Sequence, residues 1–198
     1  DRVFTNELPH ERIDRPCLWS PHDQGPQHMY TSRLELLDPE GEVLDFHEHR
    51  FGLRRVELVM AAHQWDYPAG YPKSRSHPPI TLKINGRTIF AKGSNWVSAD
   101  IFPGTVTRER YAALLQHAQA AHFNILRMWG GGFVNKESFF ELCDQRGIMV
   151  WQEFPLACNN YPDDAAYLAV LESEAAAIVR RLRPHPCVIL YCGGNELF

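Results

Sequence analysis

The chain has 198 residues and a formal net charge of −4 at pH 7, with its 10 histidines counted as neutral. This balance gives no basic field for nucleic acid, and no apolar run approaches the length of a membrane-spanning helix. Hydrophobic residues make up 44% of the sequence, which is typical of a globular protein of one or two domains. We therefore expect neither a nucleic-acid nor a membrane partner. The first residues show no signal-peptide pattern, which leaves the localisation open.

The first third of the sequence predicts antiparallel strands. Residues 30–37 alternate polar and apolar side chains, as a half-buried strand does. Residues 43–51 and 55–60 are the next candidate strands, and the Asp-Pro-Glu-Gly sequence at 38–41 predicts a turn between the first two. Antiparallel strands joined by short turns indicate a β-sandwich.

Histidines and cysteines raise the question of a metal site. His47 and His49 would lie on one face of a strand, because alternate side chains do. No third ligand of plausible spacing is near them, and the five cysteines include no close pair of the metal-ligand type. We predict solvated histidines and no metal. The cysteines in apolar segments are predicted to be buried free thiols: Cys143, Cys187 and Cys192.

A segment rich in Pro, Gly and Ser separates two different patterns. Residues 66–79 have the composition of a linker or an inserted loop, and we place the domain boundary between residues 78 and 79. Residues 80–90 then predict a hairpin, because alternating strands flank an Asn-Gly pair at 85–86 that favours a type I′ turn.

The second half alternates strands and helices in the order β-α-β-α-β-α-β. Thr107, Asn135, and either Asp163 or Asp164 are the predicted N-caps of the three helices, and Gly147 is the predicted end of the second. Strands alternating with helices require parallel pairing with helical crossovers. The strands are predicted near residues 89–96, 124–129, 148–154 and 187–192.

Polar side chains occur where each of these strands ends. A parallel sheet gathers the carboxyl ends of its strands at one edge, where open α/β sheets and barrels have their sites. We therefore expect two carboxylates, a guanidinium, two amides and several indoles at one rim. The alternative is that each polar residue only begins a loop. The residues concerned are Asn95, Trp96, Arg127, Trp129, Gln152, Glu153, Asn195 and Glu196.

The three glycines at 130–132 could suggest phosphate binding. They lack the Gly-x-Gly-x-x-Gly spacing, and no Lys-Ser/Thr pair follows them. Glycines next to Trp129 are more typical of a flat pocket lined by backbone. We therefore predict no nucleotide site.

Several motifs along the chain closely resemble glycoside hydrolase family 2 and, within it, the β-mannosidases. The glycine-flanked Asn-Glu pair is shared across that family, and the Trp-Gly-Gly-Gly and Trp-Gln-Glu-Phe motifs are typical of the mannosidase and exo-glucosaminidase branch. The matching segments are residues 18–30 (LWSPHDQGPQHMY), 51–54 (FGLR), 84–86 (ING), 92–96 (KGSNW), 126–132 (LRMWGGG), 150–154 (VWQEF) and 192–196 (CGGNE).

The resemblance implies a multidomain β plus α/β fold. Residues 1–78 would form part of an immunoglobulin-like β-sandwich with the Pro-rich linker, and residues 79–198 would form the first half of a TIM (β/α)8 barrel. It implies no cofactor and no metal. The expected partners are a β-mannoside oligosaccharide as substrate and the remainder of a parent enzyme.

The resemblance also assigns roles to the rim residues. Glu196 would be the catalytic general acid/base, and Asn195 would hydrogen-bond the 2-hydroxyl of the sugar. Trp129 would shape the pocket for the terminal sugar, and Arg127 would position the nucleophile. Trp96 and Glu153 would belong to the same pocket wall.

The chain departs from the family pattern in three respects: by resemblance it would lack the nucleophile, the preceding sandwich domain and the last four barrel strands. The family nucleophile is a glutamate on a later barrel strand, which would lie beyond Phe198. The resemblance therefore implies an inactive fragment of a retaining exo-β-mannosidase that releases terminal β-D-mannose from non-reducing ends. Two alternatives stay open: another family 2 exo-β-glycosidase (exo-β-glucosaminidase, β-galactosidase or β-glucuronidase), or a non-catalytic carbohydrate-binding module.

Overall fold

The computed structural model describes residues 12–60 and 80–197. Strands β1 (Tyr30–Leu37) and β2 (Val43–Phe51) form an antiparallel hairpin. The turn between them depends on Asp38, whose Oδ1 accepts the backbone N–H groups of Glu40 and Glu42 at 3.0 and 2.8 Å. Both predicted strands and their turn are thus confirmed.

A three-stranded antiparallel sheet follows, with strand order β3 (Val56–Met60), β4 (Ile80–Ile84) and β5 (Arg87–Ile89). Asn85 and Gly86 have φ values of +52° and +80°, so the predicted type I′ turn is present. Strand β3 precedes the expected boundary at 78/79 and β4 follows it, so this sheet joins the two sides of that boundary. The predicted linker falls within residues 61–79, outside the described residues, and the boundary itself stays a prediction.

The second half forms a four-stranded parallel sheet, as its alternating pattern predicted. Its strands are β6 (Gly93–Trp96), β7 (Ile125–Met128), β8 (Met149–Glu153) and β9 (Val188–Cys192), paired in chain order. Each step between neighbouring strands contains a helix. The three helices are α1 (Arg108–Ala120), α2 (Glu137–Arg146) and α3 (Ala165–Leu182), and a short 3-10 helix (Pro103–Thr105) precedes α1.

Three of the predicted helix ends are confirmed. The Thr107 side chain accepts the N–H of Arg110 at the start of α1, and Asp164 accepts two backbone N–H groups at the start of α3. Gly147 ends α2 in the left-handed conformation, with φ of +66°.

The predicted N-cap at Asn135 is wrong, because α2 begins at Glu137 and its N-cap residue is Lys136. Asn135 is buried instead, and its Nδ2 donates to the Sδ atom of Met128 at 3.2 Å. Its backbone carbonyl accepts a hydrogen bond from Arg181. These tertiary contacts hold the residue in the core, so its side chain is not used as a cap.

The two faces of the parallel sheet differ in chemistry because side chains alternate along each strand. On the helix-facing side, Leu126, Met128 and Val150 are buried with the aromatic rings of α1 and α2. Side chains of Ile125 and Trp151 face the opposite way, into an apolar cavity of about 600 Å³ that the three-stranded sheet also lines. This second face is therefore concave and open.

The connector segment comprises residues 18–29. Its side chains connect the amino-terminal part of the chain to the parallel-sheet half through hydrogen bonds. Trp19 is fully buried, and its Nε1 donates to the backbone carbonyl of Asp144 at 2.8 Å. His22 Nε2 donates to the Phe123 carbonyl at 2.9 Å, in the loop that leads into β7. The connector segment thus contacts the last turn of α2 and the loop that leads into β7.

The cysteines meet their prediction in part. Cys143 and Cys187 are buried and Cys192 is half-buried. Within residues 12–60 and 80–197, no group of three His, Cys, Asp or Glu side chains is placed to hold a metal ion. Across the same residues, no helix has the length and apolarity needed to cross a membrane.

Candidate active site

Arg127 is the centre of a polar cluster at the carboxyl ends of the parallel strands. Its Nε and Nη2 donate to Glu153 Oε1 at 2.8 and 2.6 Å. The Nη2 group also donates to Asn195 Oδ1 at 2.6 Å, and Nη1 donates to Asn95 Oδ1 at 3.0 Å. One guanidinium therefore joins the ends of all four strands. Its planar fork of five N–H donors makes such sharing possible.

Glu153 is 1% exposed, and both of its carboxylate oxygens have partners. Oε1 accepts from Arg127, and Oε2 accepts the backbone N–H of Gly130 at 2.8 Å. A buried carboxylate needs such partners because its desolvation is otherwise costly. Glu153 therefore connects Arg127 to the glycine loop and leaves no exposed oxygen for a ligand.

Trp129 lies in the loop after β7, where its ring packs against Gly131. Its N–H donates to the Trp96 carbonyl at 3.1 Å, and its carbonyl accepts the N–H of Gly132 at 2.9 Å. A Cβ atom added to Gly131 would lie 2.0 Å from the Trp129 ring. The indole thus lies directly against the backbone of Gly131.

Asn195 and Glu196 follow β9 at the same rim. A single parallel bridge pairs Asn195 with Ala157, and the Asn195 N–H donates to the Leu156 carbonyl at 3.0 Å. The Asn195 side chain is buried, whereas Glu196 is exposed and has a φ of +48°. Gly130 also packs on Leu156, since a Cβ there would lie 2.4 Å from the Leu156 carbonyl oxygen. The Trp129 loop and the Asn195–Glu196 turn therefore share one end of the sheet.

The structure does not bring Trp96 into this cluster. Its ring packs 4.9 Å from that of Phe139 and 6.3 Å from that of Tyr111, on the helix-facing side. Asn95, one residue earlier, points to the opposite face and contacts Arg127. The period of two along β6 gives this result, because neighbouring residues of a strand face opposite ways.

Two further residues contact the cluster and were absent from the predicted site. Trp151 lies on the concave face, with the Arg127 guanidinium carbon 5.3 Å from its ring centroid. Trp151 is paired with Arg127 between β7 and β8, so only knowledge of the strand register would have indicated this contact. Cys158, in the loop after β8, lies 3.2 Å from Asn195 Nδ2. No local sequence pattern marks that contact.

Comparisons of this chain with known proteins agree on one family. The model of "Glycosyl hydrolases family 2" matches residues 2–54. Beta-mannosidase B of Aspergillus niger is 37% identical over 186 residues, covering 93% of this chain and 20% of that protein. Beta-mannosidase of Capra hircus is 40% identical over 192 residues, with the same coverage of 93% and 20%.

Solved structures agree with these relatives. The β-D-mannosidase from Dictyoglomus thermophilum is similar with a TM-score of 0.79 and 43% identity, over 92% of this chain and 21% of that one. The exo-chitosanase CsxA from Amycolatopsis orientalis has a TM-score of 0.73 at 20% identity, over 90% of this chain and 20% of that one, which indicates a shared fold alone. The chain thus spans about a fifth of the length of the relatives it matches. Together, the match of the family model to residues 2–54 and the β-mannosidase similarity over nearly the whole chain relate it to glycosyl hydrolases family 2.

Proposed function

We propose that this chain is part of a retaining exo-β-mannosidase that releases terminal β-D-mannose from the non-reducing ends of oligosaccharides. The observation that supports this most is the cluster in which Arg127 contacts both Glu153 and Asn195, next to Glu196. The relatives of this chain at 34–43% identity are named as β-mannosidases. The substrate and activity belong to the longer enzyme.

In this proposal the four parallel strands are the first half of a (β/α)8 barrel, and residues 1–78 are part of an immunoglobulin-like domain. The strand order supports it, since β6 to β9 pair in chain order with a helix in each crossover. A barrel needs such sequential pairing and a filled interior. The open apolar face, with Ile125, Trp151 and Leu190, would become that interior.

Glu196 would act as the general acid/base. In its protonated form it would donate a proton to the glycosidic oxygen as the bond to the leaving group breaks. A second carboxylate, about 5–5.5 Å away in retaining enzymes, would form the covalent glycosyl intermediate. Glu196 would then take a proton from the water that releases the sugar.

The nucleophile would come from a part of the enzyme outside this chain. Among the described residues of the cluster, the other carboxylate is Glu153, and its oxygens are bonded to Arg127 and to the N–H of Gly130. That buried carboxylate is poorly placed to attack a sugar. We therefore expect the isolated chain not to hydrolyse glycosides.

The remaining residues would hold the sugar. Asn195 would hydrogen-bond the 2-hydroxyl, a contact that strengthens in the oxocarbenium-like transition state. Trp129 would form a wall of the pocket, and Arg127 would position the nucleophile. Glu153 and Trp96 would act without contacting the sugar. Glu153 would hold Arg127, and the Trp96 carbonyl would hold the Trp129 loop.

The test uses the full-length enzyme with Glu196→Ala and a nitrophenyl β-mannoside. We expect kcat to fall by about a hundredfold or more, because release of the sugar by water loses its general base. Added azide should restore turnover of an activated substrate, because this anion attacks the glycosyl intermediate in place of water and needs no general base. Glu172→Ala, at an exposed site on α3, is the matched control and should retain activity. Full turnover by Glu196→Ala would contradict the assignment.

Another family 2 exo-β-glycosidase is the second candidate. The exo-chitosanase and a β-glucuronidase from Parabacteroides merdae share the fold at 20% and 22% identity. A panel of nitrophenyl glycosides should show preference for the β-mannoside. Preference for a β-glucosaminide, β-galactoside or β-glucuronide would assign that activity instead, and sugar binding without turnover of any of them would indicate a binding module.

A further inference from the structure

The loop after β8 brings a thiol to the rim between Asn195 and Glu196. The Cys158 N–H donates to the Asn195 carbonyl at 2.8 Å, next to the bridge between Ala157 and Asn195. The Cys158 sulfur lies 3.2 Å from Asn195 Nδ2 and 3.5 Å from Glu196 Oε2. One exposed cysteine thus contacts both residues of the Asn-Glu pair.

The direction of every hydrogen bond in this chain of contacts follows from its donors and acceptors. A guanidinium only donates, so the atom of the Asn195 amide that faces Arg127 is its oxygen. The amide nitrogen therefore faces Cys158, whose sulfur accepts from it. The S–H of Cys158 is then free to donate to Glu196. Donation runs from Arg127 through Asn195 and Cys158 to the Glu196 carboxylate.

Backbone conformation at this point supports a functional constraint. Cys158 and Glu196 have φ values of +51° and +48°, which residues other than glycine rarely adopt. Such conformations cost free energy and concentrate at functional sites. Here the two residues with this conformation, Cys158 and Glu196, are the two joined by the contact between thiol and carboxylate.

We propose that Cys158 is a positioning residue of this site, whose thiol holds the Asn195 amide and the Glu196 carboxylate in a fixed relation. This inference rests on the proposed function, since it assigns the two residues held to the glycosidase site. Asn195 would then present one amide orientation to the 2-hydroxyl of the sugar. The effect on the reaction would be through Asn195 and Glu196 rather than through contact with the reacting atoms.

The contact itself can be tested in the 198-residue chain without any turnover. Cys158 is alkylated with neutral iodoacetamide or anionic iodoacetate, and labelling is measured peptide by peptide with mass spectrometry. Removing the carboxylate charge in Glu196→Gln should raise the ratio of iodoacetate to iodoacetamide labelling at Cys158 by about threefold. Cys17, also exposed, is the internal control and should keep its ratio. Equal ratios at Cys158 in both proteins would overturn the contact.

The positioning role is tested in the full-length enzyme with two variants at one position. Cys158→Ala should lower kcat/KM for a β-mannoside by about threefold to tenfold, with the loss mainly in kcat, as expected for one hydrogen-bonded group. Cys158→Ser should restore activity to within about twofold, because a hydroxyl both accepts and donates. Equal thermal midpoints for the three proteins would separate positioning from folding.

The outcomes separate this inference from the proposed function. Unchanged kinetics in Cys158→Ala would overturn the positioning role even if the enzyme hydrolyses β-mannosides well. An enzyme without glycosidase activity would refute the proposed function, while the labelling ratio would still decide whether Cys158 contacts Glu196.

Discussion

Arg127 Nη2 and Asn195 Oδ1 lie 2.6 Å apart, although 68 residues separate them in the sequence. The same guanidinium donates to the buried carboxylate of Glu153. The orientation of Asn195 therefore depends on the strand that carries Arg127 and on the strand that carries Glu153. Substitutions of residues that hold Arg127, such as Glu153, should consequently change the orientation of Asn195 although they do not contact a sugar.

Glu153→Gln should destabilise the chain strongly. Its side-chain NH2 group must face either Arg127 or the Gly130 N–H, both of which are donors. Loss of one partner of a buried ion pair costs about 3–5 kcal/mol, so we expect the free energy of unfolding to fall by roughly 3 kcal/mol. Urea denaturation measures it, with Glu172→Gln on the surface of α3 as control. Equal stability of the two variants would show that Glu153 is not held as described.

Gly131→Ala should displace the Trp129 indole, because the new methyl group would overlap the ring at 2.0 Å. The near-UV circular dichroism of the chain should change, and β-mannoside kcat/KM of the full-length enzyme should fall by about tenfold or more. Gly193→Ala is the control at the same rim, since a Cβ there meets no atom within 4 Å. A Gly131→Ala enzyme with unchanged spectrum and rate would contradict this placement of Trp129.

Stability should fall as the pH rises above neutrality, because of His185. Its ring lies between Asp144 Oδ2 at 2.6 Å and Glu137 Oε1 at 2.7 Å. Burial lowers the pKa of His185, but the hydrogen bonds and charges of Asp144 and Glu137 outweigh burial and raise that pKa above 6.5. A folded-state pKa raised above the unfolded value stabilises the protein fully below about pH 6.5, and this contribution is lost as pH passes the folded pKa.

Urea denaturation between pH 6 and pH 9 measures the effect of His185. The variant His185→Gln should lose that part of the pH dependence, and His117→Gln, exposed on α1, should keep it. A pH dependence that is the same in His185→Gln as in the unsubstituted chain would assign it to other groups.

Sequence reasoning succeeded where the chemistry is local. Thr107 and Asp164 cap helices because their side chains bond backbone N–H groups two or three residues ahead, and the Asn85–Gly86 turn requires only its own dihedrals. It failed at Asn135, whose capping ability competes with a core contact to Met128 that is visible only in three dimensions.

The site shows the same division. The glycines and polar residues at strand ends predicted which rim carries Arg127 and Asn195, since parallel strands share their carboxyl ends. They did not predict which neighbour faces the concave side, and this is why both Asn95 and Trp96 were expected at the rim although only Asn95 contacts Arg127. Cys158 could not be predicted, because its contact depends on how the loop after β8 pairs with the residue beyond β9.

The connector segment has a consequence for truncation. A polypeptide that began at residue 80 would lose Trp19, and the Asp144 carbonyl would lose the indole that bonds it. The Phe123 carbonyl would lose His22 in the same way. The last turn of α2 and the loop that leads into β7 would then be less well anchored. The α/β half should therefore melt earlier, and less cooperatively, than the chain that retains its first 29 residues.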